Sequence, residues 1–244
     1  MEEVGRWVPK VVITVAVLIG RVSLLLFFVF MFMGSFNLIL FGFTDTGVLL
    51  WDGSILSMIF FVQHSAMIRR RSRSRLAGIV PSYYHGVIFT IVSGTVLIAL
   101  VLTWQTSAVV LNEFHGPARW LLRGIFSLGL ALFVWGMYTL RSFNSFDPFG
   151  TRVLVAHIRG RQLEPPKFVV RGPYAYVRHP LYLAMLLFIW SCPDMTADRL
   201  LFNVIWTVWI YVATILEEAD LVTEFGQLYS EYQKKVPMLI PWPT

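Results

Sequence analysis

Cysteine, charge and several recurrent site motifs are all scarce in this chain. Cys192 is the only cysteine, so no intrachain disulfide can form, and nothing in the thiol content points to an oxidising compartment. Flanked by apolar residues, it reads as a small buried hydrophobe. No Cys/His cluster has metal-ligand spacing, so no metal site is expected. A Gly-x-Gly-x-x-Gly loop, an internal repeat and a low-complexity tract are absent as well. The start, Met1-Glu2-Glu3, is not followed by a small-residue cleavage site, so no removable signal peptide is expected.

Charged residues make up only 14% of the 244 residues, against 57% hydrophobic. A water-soluble domain does not hide that much apolar surface, and the natural solvent for it is a bilayer. The net charge of +6 does not imply nucleic acid. The basic residues sit beside apolar segments, as in membrane proteins that mark their cytoplasmic side.

A crossing helix needs roughly 20 mostly apolar residues. The spans expected here are Val22–Phe41, with an interfacial lead-in from Val11 past Arg21, then Gly47–Met67, Tyr83–Trp104 and Trp120–Leu140. A polar stretch from Arg141 to His179 follows. The last apolar stretch, Pro180–Leu216, is split at Ser191-Cys192-Pro193-Asp194 and reads as a helical hairpin with a short first arm. The fold class is therefore all-α: a polytopic bundle of five to six transmembrane helices in a single membrane domain, residues 1–244. The basic run Arg69–Arg75 belongs in the cytoplasm. Alternation then puts both termini and the Arg141–Arg178 loop inside, with Thr44-Asp45, Asn112-Glu113 and Asp194 outside.

The polar clusters converge on the cytoplasmic surface. In Arg178-His179-Pro180-x-Tyr182, Pro180 suits the first position of a helix, where its missing N–H costs nothing. His179 then caps the helix, and Arg178 with the free amides makes an anion site. The same residues also fit a basic stop with aromatic anchors. Glu217-Glu218 ends the final helix. Steps of three and four put Glu218, Leu221, Phe225, Leu228 and Tyr232 on one face, so Glu218 points to the protein and Glu217 toward water, which makes Glu218 the better candidate for binding a cationic ligand. Solvated helix-end carboxylates are the plainer alternative. Gln63-His64-Ser65 ends the second span, where His64 is a candidate proton acceptor or an interfacial histidine. Asp147, before Pro148, is either chemical or a turn former. An anion site facing a carboxylate among aromatic rings suits a zwitterionic sulfonium such as S-adenosylmethionine.

These motifs, with Phe225-Gly226-x-x-Tyr229-x-x-Tyr232 and Val236-Pro237, resemble the isoprenylcysteine carboxyl methyltransferase-like superfamily of membrane methyltransferases. Gln63-His64-Ser65-x-Met67, Phe146-Asp147-x-Phe149-Gly150-x-Arg152, Pro193-x-Met195-Thr196 and Val236-Pro237-Met238-Leu239-x-Pro241 resemble its methanethiol S-methyltransferase and NnrU-like branch. The resemblance implies S-adenosylmethionine as cofactor and S-adenosylhomocysteine as product. It implies a cofactor-binding half, 141–244, with Tyr174, Arg178, His179, Pro180, Tyr182, Glu217 and Glu218 at the pocket. Residues 1–140 then form the acceptor side. For the chemistry, His64 or Asp147 assists deprotonation of a thiol and Arg152 stabilises negative charge. The implied acceptor is a small lipophilic or volatile thiol, methanethiol giving dimethyl sulfide. The expected setting is a bacterial cytoplasmic membrane, with lipid contacts and no obligate protein partner. The alternatives are a prenylcysteine carboxylate or a lipid amine as acceptor, or a non-catalytic accessory or transport protein.

Overall fold

The computed structural model describes residues 2–69, 75–143, 145–164 and 167–241. Most of the Arg69–Arg75 run, residues 70–74, lies outside them, as does Asn144. The described residues are mostly helical, with loops between the helices and one short strand pair. Five helices are long and apolar enough to cross a membrane, covering Trp7–Met33, Asp45–Ile68, Ser82–Thr103, Gly116–Ser142 and Ala197–Phe225. The chain is a polytopic helical membrane protein.

The elements are α1 (Glu2–Met33), α2 (Asp45–Ile68), α3 (His85–Thr103), β1 (Val110–Glu113), α4 (Gly116–Ser142), α5 (Arg152–Ile158), α6 (Pro180–Trp190), β2 (Asp194–Thr196), α7 (Ala197–Phe225) and α8 (Gln227–Lys235). The first span lies earlier than the hydropathy of Val22–Phe41 suggests. Arg21 does not end it, because its side chain is on an exposed face and its long stem keeps the charge clear of the core. Helix α1 stops where Gly34 turns the chain at φ +92°. In α2, Leu50–Ser57 is wound as a π-helix.

Helix α6 has 11 residues. At about 1.5 Å per residue it is roughly 16 Å long, about half of the hydrocarbon core. The hairpin's first arm therefore does not cross as a helix by itself.

The chain divides into two compact units. The first holds α1 to Phe30, α2, α3 and the segment Asp147–Pro165 with α5. Its core includes Ala16, Val87 and Leu154, one from each of α1, α3 and α5. The loop before α5 is pressed onto α3: a Cβ on Gly150 would lie 2.2 Å from the carbonyl carbon of Gly86, and Gly150 has φ +62°. Both the space and the conformation therefore require glycine there. Near the start of α2, buried Asp52 accepts the Gln105 amide at 3.1 Å, and Gln105 Nε2 donates to the Ile39 carbonyl.

The second unit holds the last turn of α1, β1, α4, α6, β2, α7 and α8. Small residues let α4 and α6 approach: a Cβ on Gly129 would touch Leu187 at 3.1 Å, and one on Gly136 would meet Leu181 at 2.8 Å. The Phe126 and Phe188 rings meet at 4.9 Å beside this contact. Strands β1 and β2 pair antiparallel. Beside them Arg119 grips Asp194 through two bonds of 2.7 and 2.8 Å.

Candidate active site

His179 is the N-cap of α6 and Pro180 its first residue. The C-terminal segment runs beside this start, the amides of Arg178 and His179 donating to the carbonyls of Pro237 and Met238 at 2.9 and 3.1 Å. Helix α7 ends with Glu217-Glu218-x-x-x-x-x-x-Phe225, and Gly226, at φ +59°, turns the chain into α8. Glycine tolerates that conformation where other residues are strained. The turn corrects the continuous helical face drawn through Glu218, Leu228 and Tyr232. Past Gly226 the periodicity restarts, Leu228 is exposed, and Tyr229 and Gln233 face Glu218 instead.

Glu218 is the centre of a half-buried polar network. Arg178 Nε donates to Glu218 Oε1 at 2.5 Å and Nη2 to Oε2 at 3.0 Å. Arg178 Nη1 also donates to the carbonyls of Gln233 and Val236. Gln233 Nε2 and the Tyr229 hydroxyl donate to the same carboxylate at 3.0 and 3.3 Å. His179 Nε2 lies 3.2 Å from Glu218 Oε1. Burial holds the His179 imidazole below its ordinary pKa, outweighing the raising effect of Glu217 and Glu218. That contact is therefore a hydrogen bond from a neutral ring, with Nε2 protonated, and the Arg178 guanidinium supplies the counter-charge.

Glu217 differs from its neighbour. It is exposed, as its helical position predicts, and its Oε2 accepts from the Tyr182 hydroxyl at 2.6 Å. The Tyr182 ring lies over that of His179 with centroids 5.6 Å apart. Tyr174 is buried near Gly136, and its carbonyl accepts from the Tyr232 hydroxyl at 2.5 Å. Burial raises the pKa of the Tyr174 phenol, keeping it neutral.

The cofactor residues expected from sequence thus gather at one end of the second unit, where α6 begins and α7 ends. Sequence reasoning missed Gln233 and the structural part of Tyr229. Their spacing of four on α8 was the available signal.

His64, Asp147 and Arg152, the residues expected to act on the acceptor, lie in the first unit, although Asp147 and Arg152 belong to the 141–244 stretch expected to hold the cofactor. His64 is near the end of α2, its ring 5.2 Å from Phe60 and 5.0 Å from Phe89. Beside it Gln63 Nε2 donates to Ser93 Oγ at 3.0 Å. Asp147 caps the entry to α5: its carboxylate accepts the Arg152 amide at 2.5 Å and the Phe149 amide at 3.3 Å. Asp147 and Arg152 are brought together through the backbone, while His64 sits on a separate element. Among the described residues, no group of His, Cys, Asp and Glu is arranged to hold a metal ion.

The phospholipid methyltransferase family matches residues 123–228. Over 198 residues the chain is 33% identical to methanethiol S-methyltransferase 2 of Bradyrhizobium diazoefficiens, spanning 81% of this chain and 75% of that one. It is 35% identical over 191 residues to the methanethiol S-methyltransferase of a Pseudomonas species, spanning 77% and 72%. The corresponding Mycobacterium tuberculosis protein is 33% identical over 190 residues, spanning 78% and 77%. No solved structure matches the chain.

Proposed function

Since this chain belongs to the family of membrane methyltransferases that includes the methanethiol S-methyltransferases, we propose that it transfers a methyl group from S-adenosylmethionine to a small thiol, converting methanethiol to dimethyl sulfide. The observation that carries the reading is the paired-acid end of α7 docked on the start of α6. Its donor set fits the cofactor. Exposed Glu217, held by Tyr182, suits the α-ammonium. The first amides of α6 lack helical acceptors and suit the α-carboxylate. The Tyr182 ring suits the sulfonium.

The seven pocket residues then divide by role. Glu217, Tyr182 and the helix start at Pro180 hold the cofactor. Arg178, His179 and Glu218 satisfy one another and hold that helix start in place, and Tyr174 packs it against α4. When bound, S-adenosylmethionine supplies an electrophilic methyl on a sulfonium. His64 takes the thiol proton, leaving the thiolate as the nucleophile. A bond forms from the thiolate sulfur to the methyl carbon. The old carbon–sulfur bond breaks, and its electron pair stays on the departing sulfur of S-adenosylhomocysteine. Arg152, presented by the Asp147 cap, stabilises negative charge on the acceptor. The arginine-rich loops support a cytoplasmic position for the Glu218 end.

The test is an acceptor panel with purified full-length protein and labelled S-adenosylmethionine: methanethiol, a prenylcysteine and a phospholipid. Dimethyl sulfide in the headspace is the expected product. Label in the prenylcysteine or the phospholipid alone would replace the acceptor, and failure to bind the cofactor by calorimetry would overturn the reading.

A further inference from the structure

Helix α4 carries a second feature at its opposite end. A cavity of about 470 Å³ lies against its first turns, lined by Phe32, Arg119, Trp120, Arg123, Gly124 and Ser127. Below it an open groove of about 590 Å³ continues along the same helix from Ser127 to Tyr138, past Ala131, Val134 and Trp135. Ser127 lines both, so the two form one strip. From Arg119 to Tyr138 it runs 19 residues, about 28 Å at the rise of an α-helix, close to the thickness of a hydrocarbon core. Its first part is cationic and its remainder almost wholly apolar.

The two arginines are not equivalent. Arg119 is neutralised by Asp194. Arg123 lies inside a membrane-spanning helix, its guanidinium 3.9 Å from the Phe32 ring centroid and its Nη1 donating to the Phe32 carbonyl. Among the described residues it makes no ion pair. A guanidinium at membrane depth is costly, and it calls for an anion. Trp120 is 76% exposed beside it, where an indole marks the membrane interface.

We propose that this strip binds an anionic phospholipid of the leaflet opposite the Glu218 network. Arg123 holds the headgroup phosphate, and an acyl chain lies in the groove. A second copy of this chain is the competing occupant, since Gly124, Ser127 and Ala131 form a small-residue stripe of the kind that packs helices. Charge decides against it: a two-fold pairing through this stripe brings Arg123 toward Arg123, and like charges facing each other disfavour association.

The test uses delipidated full-length protein in mixed detergent micelles with phosphatidylglycerol or phosphatidylcholine, bound lipid being counted by native mass spectrometry. The wild type should retain phosphatidylglycerol in preference. Arg123→Gln should lose roughly tenfold of that retention, the scale of one charge-assisted contact, and Arg123→Lys should recover part of it. Gly124→Leu keeps both charges and blocks the cavity mouth. An added Cβ at Gly124 meets nothing within 4 Å, so this variant should fold, and it should also lose the lipid. Equal retention of phosphatidylglycerol in Arg123→Gln or Gly124→Leu of unchanged melting temperature overturns the proposal. So does displacement of the lipid by inorganic phosphate alone, or disulfide-linked dimers of Ala131→Cys in place of bound lipid.

Discussion

The two polar neighbourhoods that carry the candidate chemistry are built in opposite ways. Around Glu218 every charge is answered: carboxylate, guanidinium, imidazole, phenol and amide bond one another across α6, α7 and α8. Around His64 the surroundings are aromatic, and the adjacent Gln63 keeps its Oε1 buried without a hydrogen-bond partner. A saturated network fixes geometry, because removing any member strands the others. The His64 imidazole packs against the Phe60 and Phe89 rings, and in the proposed mechanism it takes the thiol proton. In the proposed mechanism the first neighbourhood is scaffold and the second transfers the proton, and substitutions should separate the two.

The largest effect is expected at Glu218. Glu218→Ala leaves the largely shielded Arg178 guanidinium without its counter-charge, a loss of about 2–3 kcal/mol for a partly buried charged hydrogen-bond pair. The melting temperature in detergent should fall sharply, with cofactor affinity lost as a consequence. A variant that melts like wild type would mean that Glu218 is not a scaffold. Next is His64→Ala, which should cut turnover with methanethiol roughly a hundredfold, the usual scale for a lost general base, while leaving cofactor affinity alone. Full turnover would remove His64 from the chemistry and erase the contrast. Smaller again is Glu217→Gln. It keeps an acceptor for Tyr182 and loses the charge offered to the ammonium, so calorimetry should show about tenfold weaker cofactor binding at an unchanged melting temperature. If Glu217→Gln melts early, or binds as tightly as wild type, the division of roles between the two glutamates fails.

Much of this was legible before any coordinates. Apolar runs long enough to cross gave α2, α3, α4 and α7, and Pro180 marked the first turn of α6. The motif pairing of Arg178-His179 with Glu217-Glu218 brought together residues 40 apart. What was not legible has local physical causes. Arg21 looks like a boundary in a hydropathy profile, yet a flexible basic side chain on an exposed face leaves the helix intact. The pairing of β1 with β2 depends on a long-range contact that short strands barely announce. The face through Glu218 was extended past a glycine whose left-handed conformation resets the helical phase, which hid Gln233. Above all, sequence could place an arginine near a glutamate but not show that each would use up the other. In the proposed reading, that mutual saturation moves the carboxylate offered to the cofactor from Glu218 to Glu217.

The smallest and most specific test of the scaffold is its response to acid. His179 is neutral in the folded protein because burial lowers its pKa, whereas in the unfolded chain it titrates near its ordinary value of about 6.5. The unfolded state therefore takes up this proton first as pH falls. Stability from His179 is intact above about pH 6.5 and declines below it, toward the lower pKa of the folded state. His179→Gln retains a donor for Glu218 Oε1 but cannot titrate. Melting temperatures of wild type and His179→Gln, measured from pH 7.5 down to 5, should converge or cross as the wild type loses ground. A wild type that instead gains on His179→Gln as the pH falls would show that the fold raises the pKa of the ring, so that it is protonated in the fold and the network carries an additional positive charge. Glu218 would then face two cations, and the neutral hydrogen bond assigned to His179 would be an ion pair.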